Sequence, residues 1–181
     1  MKMLFFRLFL SLAVGAAELP AKSIYQLDQV WTDQDGKSVN LKEFAGTPAV
    51  VTMTYTGCPG SCPLMVSDIR GFDKMLSGKE KKKIHYFTFS IDSIHDTPEA
   101  LKKFYTKMHL DKRWTLLTAP AGQITEMAAL LGFSYKDLGN GDFTHSTSLY
   151  LLSSGGEILA RKERSSDWKD FLEKLRAELK R

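Results

Sequence analysis

The sequence is short of the features that mark specialised chains. It has two cysteines, Cys58 and Cys62, four positions apart. A disulfide framework for a small, core-poor fold needs more. Six prolines and thirteen glycines, with no repeat or low-complexity tract, exclude collagenous and disordered classes. Lys plus Arg exceeds Asp plus Glu by only 25 to 21. That excess is too mild to imply nucleic acid, and no aromatic-rich basic patch supports such a partner. No apolar run reaches the ~20 residues of a comfortable spanning helix. What remains, 181 residues of which 43% are hydrophobic, suits one domain with a real core.

The N-terminus carries a targeting pattern. Lys2 gives a positive start, Leu4 to Val14 is apolar except for Arg7 and Ser11, and Gly15-Ala16-Ala17 supplies small residues. This reads as a cleaved secretory signal over residues 1–17, followed by a single domain over 18–181. The alternative is a membrane anchor through residues 3–17. Either way the chain is expected outside the cytoplasm, in the periplasm or its equivalent. There a lone cysteine pair points to redox or metal chemistry.

Along the chain, Asp35-Gly36 marks a β-hairpin between Val30-Trp31-Thr32 and Ser38-Val39-Asn40-Leu41. Ala49 to Thr56 is a β-branched run and predicts a buried strand. Met65, Ile69, Phe72 and Leu76 recur at helical spacing, with Gly78 as the stop and Lys79 to Lys83 as a charged connector, either a solvated turn or a docking patch. Ile84 to Ile91 is strand-like. Asp96-Thr97-Pro98 opens a helix whose buried face is Leu101, Phe104, Tyr105 and Met108. A strand at Trp114 to Leu117, a helix bearing Ile124, Met127, Ala128 and Leu131, a hairpin over Thr147 to Arg161 and a last helix with Trp168, Phe171 and Leu175 complete the order. Strands alternating with helices imply an α/β fold with a parallel core, and the two hairpins add antiparallel strands at its edges. Function in such sheets collects at the carboxyl ends of strands, where Thr56 to Pro63 lies.

Pro63 suits a first helical position, which makes Cys62 the expected N-cap. A sulfur there meets unpaired amides and the positive end of the helix dipole, so its thiolate is favoured. Three intervening residues make the pair roomier than C-x-x-C and leave space for a metal. A soft dithiolate selects copper(I) or zinc, and a structural zinc would want four ligands. Of the four histidines, His85 and His109 read as surface or boundary residues. His95 and His145 stand near the cysteine end of the sheet, and position alone leaves both open. Met53 and Met65 read as core packing, and Asp92 as a group that could orient a ligand at the mouth of the site.

Tyr55-Thr56-Gly57-Cys58-Pro59-Gly60-Ser61-Cys62-Pro63 resembles the signature of the Sco/SenC family of copper-binding proteins. Ser90-Ile91-Asp92 with Asp96-Thr97-Pro98-Glu99, and His145-Ser146 leading into Leu149-Tyr150-Leu151, resemble that family's second and third blocks, in the same order. The resemblance implies a thioredoxin-like fold with a central mixed sheet, and one copper ion, Cu+ or Cu2+, held by Cys58, Cys62 and His145. It implies delivery of copper to the dinuclear copper site of cytochrome c oxidase, or reduction of that site's cysteines, with the copper-receiving subunit or another periplasmic cuproprotein as partner. Two departures stand out. Ser93 and His95 occupy positions where the family often has proline and arginine. Thr144 stands where it usually has aspartate, with Asp142 two residues earlier. Asp92, His95, Asp142 and Thr144 are therefore the candidates for contacts that orient the ligands.

Two readings follow. A metallochaperone would exchange ligands with its client and has no turnover. A thiol-disulfide oxidoreductase would attack with Cys58, resolve with Cys62 and be recycled by a thioredoxin-like reductant. The wider spacing, and a histidine where such oxidoreductases keep a cis-proline, favour the chaperone. A peroxidase reacting at Cys58 alone is the third and weakest reading.

Overall fold

The computed structural model describes residues 19–58, 60–164 and 167–181, and of Ser61 and Cys62 it describes the backbone. The expected signal segment, residues 1–17, thus lies wholly outside the described residues. Seven strands form one sheet in the order β2-β1-β5-β4-β3-β8-β9. β3 (Ala49–Thr54), β4 (His85–Ser90) and β5 (Trp114–Thr118) are mutually parallel at its centre. The hairpin β1 (Val30–Asp33) and β2 (Ser38–Asn40) closes one edge, and β8 (Leu149–Leu152) with β9 (Ile158–Lys162) closes the other. This is the mixed sheet with hairpins at both edges that the strand–helix alternation implies.

The local chemistry explains the elements. All six residues of β3 are buried, as a strand covered by helices on both faces requires. At the first hairpin, Asp33 Oδ1 accepts from the amides of Asp35 and Lys37, and Gly36 takes the φ of +75° that the turn needs. α3 (Pro98–Lys107) has proline at its start and Thr97 as N-cap, whose hydroxyl accepts from Ala100 N. α4 (Ala121–Leu131) ends on left-handed Gly132, and α5 (Lys169–Glu178) lays Phe171 and Leu175 into the core. Trp31 is fully buried with its ring edge-on to Phe89, and Met53 and Met65 are core residues as expected.

Four expectations need correction. α1 spans Ser61–Lys74 with Gly60 as N-cap, so Cys62 is the second helical residue. The first-turn amides of a helix have no partner, so a proline costs nothing anywhere in that turn, and the helix starts two residues before Pro63. Its stop comes at Met75, ahead of Gly78. Residues 79–83 are no plain connector: Ser77 caps a short α2 (Gly78–Lys81) through a reciprocal bond with Glu80. Finally, the polar stretch before β8 holds a separate ribbon, β6 (Tyr135–Asp137) paired with β7 (Phe143–His145). His85 is a boundary residue as read. Its ring packs on Phe44 and Phe87, and burial pushes its pKa down to about 4.

Candidate metal centre

Tyr55 is the first residue beyond β3. It is 3% exposed and stands between the two candidate ligand segments. Its carbonyl accepts from Cys58 N at 3.3 Å, which closes the turn that leads into α1. Cys58 itself is half-buried against the core. On the other side, the Tyr55 ring meets Phe143 and His145 edge-on, with centroids 5.0 and 5.9 Å away. Its hydroxyl reaches Asp142 Oδ1 and the Phe143 amide, each at a long 3.4 Å.

His145 is thereby set at the end of the sheet where the cysteine loop lies. Its ring stacks on Phe133 at 6.0 Å. Ser146 ties the ribbon back to the body by its amide to Ser134 O at 2.8 Å and its hydroxyl to Ser134 N at 3.0 Å. Nδ1 of His145 lies 2.7 Å from the Ser146 carbonyl. A carbonyl only accepts, so Nδ1 carries the proton, and in the neutral ring Nε2 is the nitrogen with the lone pair. That is the tautomer a metal ligand needs, and a backbone carbonyl is a usual partner for fixing it.

The cysteine loop has its own clamp. Asp96, 2% exposed, accepts from Thr56 N through both oxygens at 3.1 Å, from Thr56 Oγ1 at 2.5 Å and from Ser90 Oγ at 2.6 Å. Burial, reinforced by the neighbouring Asp92 charge, raises its carboxyl above the usual range against those three donors. Asp92 turns inward on its own loop: Oδ1 accepts from Ile94 N and His95 N, and Oδ2 lies 2.8 Å from His95 Nδ1. Asp92 and His95 face Asp137 and Phe143 of the ribbon across a cleft of about 430 Å³. Thr144 is exposed, and Asp142 meets Tyr55 and Asn140. The structure thus gathers Cys58, Asp92, His95 and His145 at one end. Among the described residues no three His, Cys, Asp or Glu side chains converge as a metal cage, and the Cys62 side chain lies outside them.

Sequence reasoning passed over Tyr55 and Asp96 as functional parts. Asp96 was visible as a helix-start residue and as part of the second resembling block, but its partner Thr56 is 40 positions away. The tyrosine's signal was its place at the head of the cysteine motif.

A family model described as SCO1/SenC matches residues 19–180. The chain belongs to the SCO1/SenC family. It is similar to the "SCO1 protein homolog" of Bacillus subtilis (strain 168), 29% identical over 81% of this chain and 78% of that protein. A crystal structure of a SCO1/SenC family lipoprotein from Bacillus anthracis str. Ames superposes with TM-score 0.75 and 28% identity, covering 83% of this chain and 92% of that one. Bradyrhizobium japonicum ScoI, solved with copper bound, shares the fold at TM-score 0.68 and 24% identity, over 82% of this chain and 96% of that one. The SCO1/SenC fold is thioredoxin-like, as the mixed sheet and its flanking helices are here. No described helix is long and apolar enough to cross a membrane.

Proposed function

We propose that this SCO1/SenC protein is an extracytoplasmic copper chaperone. Cys58, Cys62 and His145 hold one copper ion as cargo and pass it to the dinuclear copper site of cytochrome c oxidase. Residues 1–17 direct its export, and residues 18–181 form the binding domain. Two thiolates and an imidazole are a soft donor set that suits copper(I). The observation that carries the reading is the Nδ1–carbonyl bond of His145, which presents Nε2 as the ligating atom beside the tyrosine that also fixes Cys58. Cys62, in the first turn of α1, sits where the helix dipole favours a thiolate. Three donors leave room for a client thiolate to join before one of them departs, so transfer proceeds by ligand exchange without a bare ion in solution. The copper-bound relative supports the cargo, and the resemblance supports the client.

Competitive titration of the reduced protein with copper(I) tests this. Wild type should bind one equivalent, and His145→Ala should bind more than about 100-fold more weakly, beyond the loss typical of a ligand's supporting contacts. Absence of stoichiometric binding, or equal affinity of the two proteins, would refute it.

A further inference from the structure

The sheet has a second end. β4 and β5 begin there, α1 and α5 finish there, and α2 lies across it. A groove at this pole is lined by Lys79, Lys82, Lys83, Arg176 and Lys180, with Glu80 as the one carboxylate and Leu179 as the one apolar residue. Arg176 pairs with Glu80 at 3.0 Å. The four lysines are exposed, and none lies within ion-pair reach of a described carboxylate. Met75, 48% exposed, follows the last turn of α1.

The chain also enters the fold at this pole. Leu19 and Pro20 are held by Gln26 Nε2, and the Pro20 ring packs on Gly155 in the β8–β9 turn. The residue before it in that turn, Ser154, donates to Glu178 at the end of α5. Leu19, the first described residue, therefore lies on the side of the domain that carries the lysine cluster. The cysteine loop is at the opposite end of β3, whose six residues span about 20 Å.

We infer that this basic pole docks on an anionic membrane surface, with phosphate headgroups as the ligand. Clustered lysines each gain from the negative surface potential within a Debye length. Apart from Arg176, which is paired with Glu80, the groove's polar side-chain donors are these flexible ammonium groups, which suits a headgroup layer better than one shaped ligand. Docking in this pose turns the Cys58–His145 end into the aqueous space, towards whatever client approaches. It makes no use of metal, so it stands or falls apart from the copper reading.

The test uses the full, metal-free chain on vesicles of phosphatidylcholine alone and of phosphatidylcholine with phosphatidylglycerol, and reads amine labelling by mass spectrometry. Residues 1–17 can hold the chain on either vesicle, so the labelling pattern is the readout. On anionic vesicles, Lys79, Lys82, Lys83 and Lys180 should label about fivefold more slowly or less, while Lys136 on the ribbon keeps its rate. Salt of about 1 M, where the Debye length is ~3 Å, should remove the difference. In the Lys79→Ser/Lys82→Ser/Lys83→Ser chain, Lys180 should lose its protection; these side chains are exposed, and thermal unfolding checks that the variant is folded. Equal labelling on both vesicles, or equal slowing of Lys136, overturns the inference. So does protection of the four lysines by an acidic protein but not by the anionic vesicles.

Discussion

The cysteine loop leaves a strand buried on both faces and is tied down two residues before Cys58 by a carboxylate that takes three donors. The histidine stands on a three-residue strand of a ribbon that pairs with no strand of the main sheet. One half of the proposed site is thus part of the cooperative core, and the other is an appendage held by Tyr55, Phe133 and the Ser134–Ser146 bonds. For a protein proposed to keep copper and then surrender it, the difference is useful. A rigid thiolate half preserves the donor geometry, while a ligand on a separable element can leave without disturbing the fold.

The comparison breaks most readily at Asp96. Asp96→Ala strands the Thr56 amide and two hydroxyls in a buried place, and should cost about 3 kcal/mol in urea unfolding. A cost near zero would mean that the cysteine loop is no better anchored than the ribbon. Asp96→Asn keeps an acceptor and should cost less. Its pH dependence carries a sign. Burial raises the Asp96 carboxyl in the folded state, so this group's stabilising contribution is full below the ordinary carboxylate range. It declines as pH rises through the folded value. The asparagine variant lacks that decline, so its deficit against wild type should narrow between pH 3 and pH 7. A widening deficit would show that the folded protein prefers the anion.

Tyr55 is where the halves meet, and Tyr55→Phe sharpens the comparison. It removes the two long hydroxyl contacts to the ribbon and keeps the ring. Copper affinity should fall about 10-fold, as for loss of a ligand's supporting contact, with less than about 1 kcal/mol lost in unfolding. Unchanged affinity would assign the coupling to the ring alone.

The two halves also differed in how far the sequence revealed them. The sheet, both edge hairpins and α3 were legible because each rests on local signals: β-branched runs, Asp35-Gly36 and Thr97-Pro98. The ribbon was hidden because its strands are three residues long and mix Lys136, Asp137 and Thr144 with apolar residues, too short for any periodicity to register. Cys62 was misplaced as a cap because proline is tolerated throughout a first turn, so it marks a helix start only to within a turn. The Asp96–Thr56 clamp joins residues 40 apart and is a product of the tertiary fold alone.

The smallest expected effect lies in the ribbon's turn. Gly141 has a φ of +85°, and a Cβ built there would meet nothing within 4 Å. Gly141→Ala therefore acts through the backbone alone, at about 1 kcal/mol. If the ribbon is an appendage, that strain opens it locally. Exchange of the Leu138 amide, which bonds Asp142 O at 3.0 Å, should quicken about fivefold. Copper affinity should change by less than about twofold, because only the closed fraction scales it and the closed ribbon stays the main form. The urea midpoint should stay where it is, since the sheet unfolds without reference to a ribbon already loose. A midpoint that drops by the full 1 kcal/mol would place the ribbon in the same cooperative unit as the cysteine loop, and copper release could then no longer be assigned to the histidine side alone.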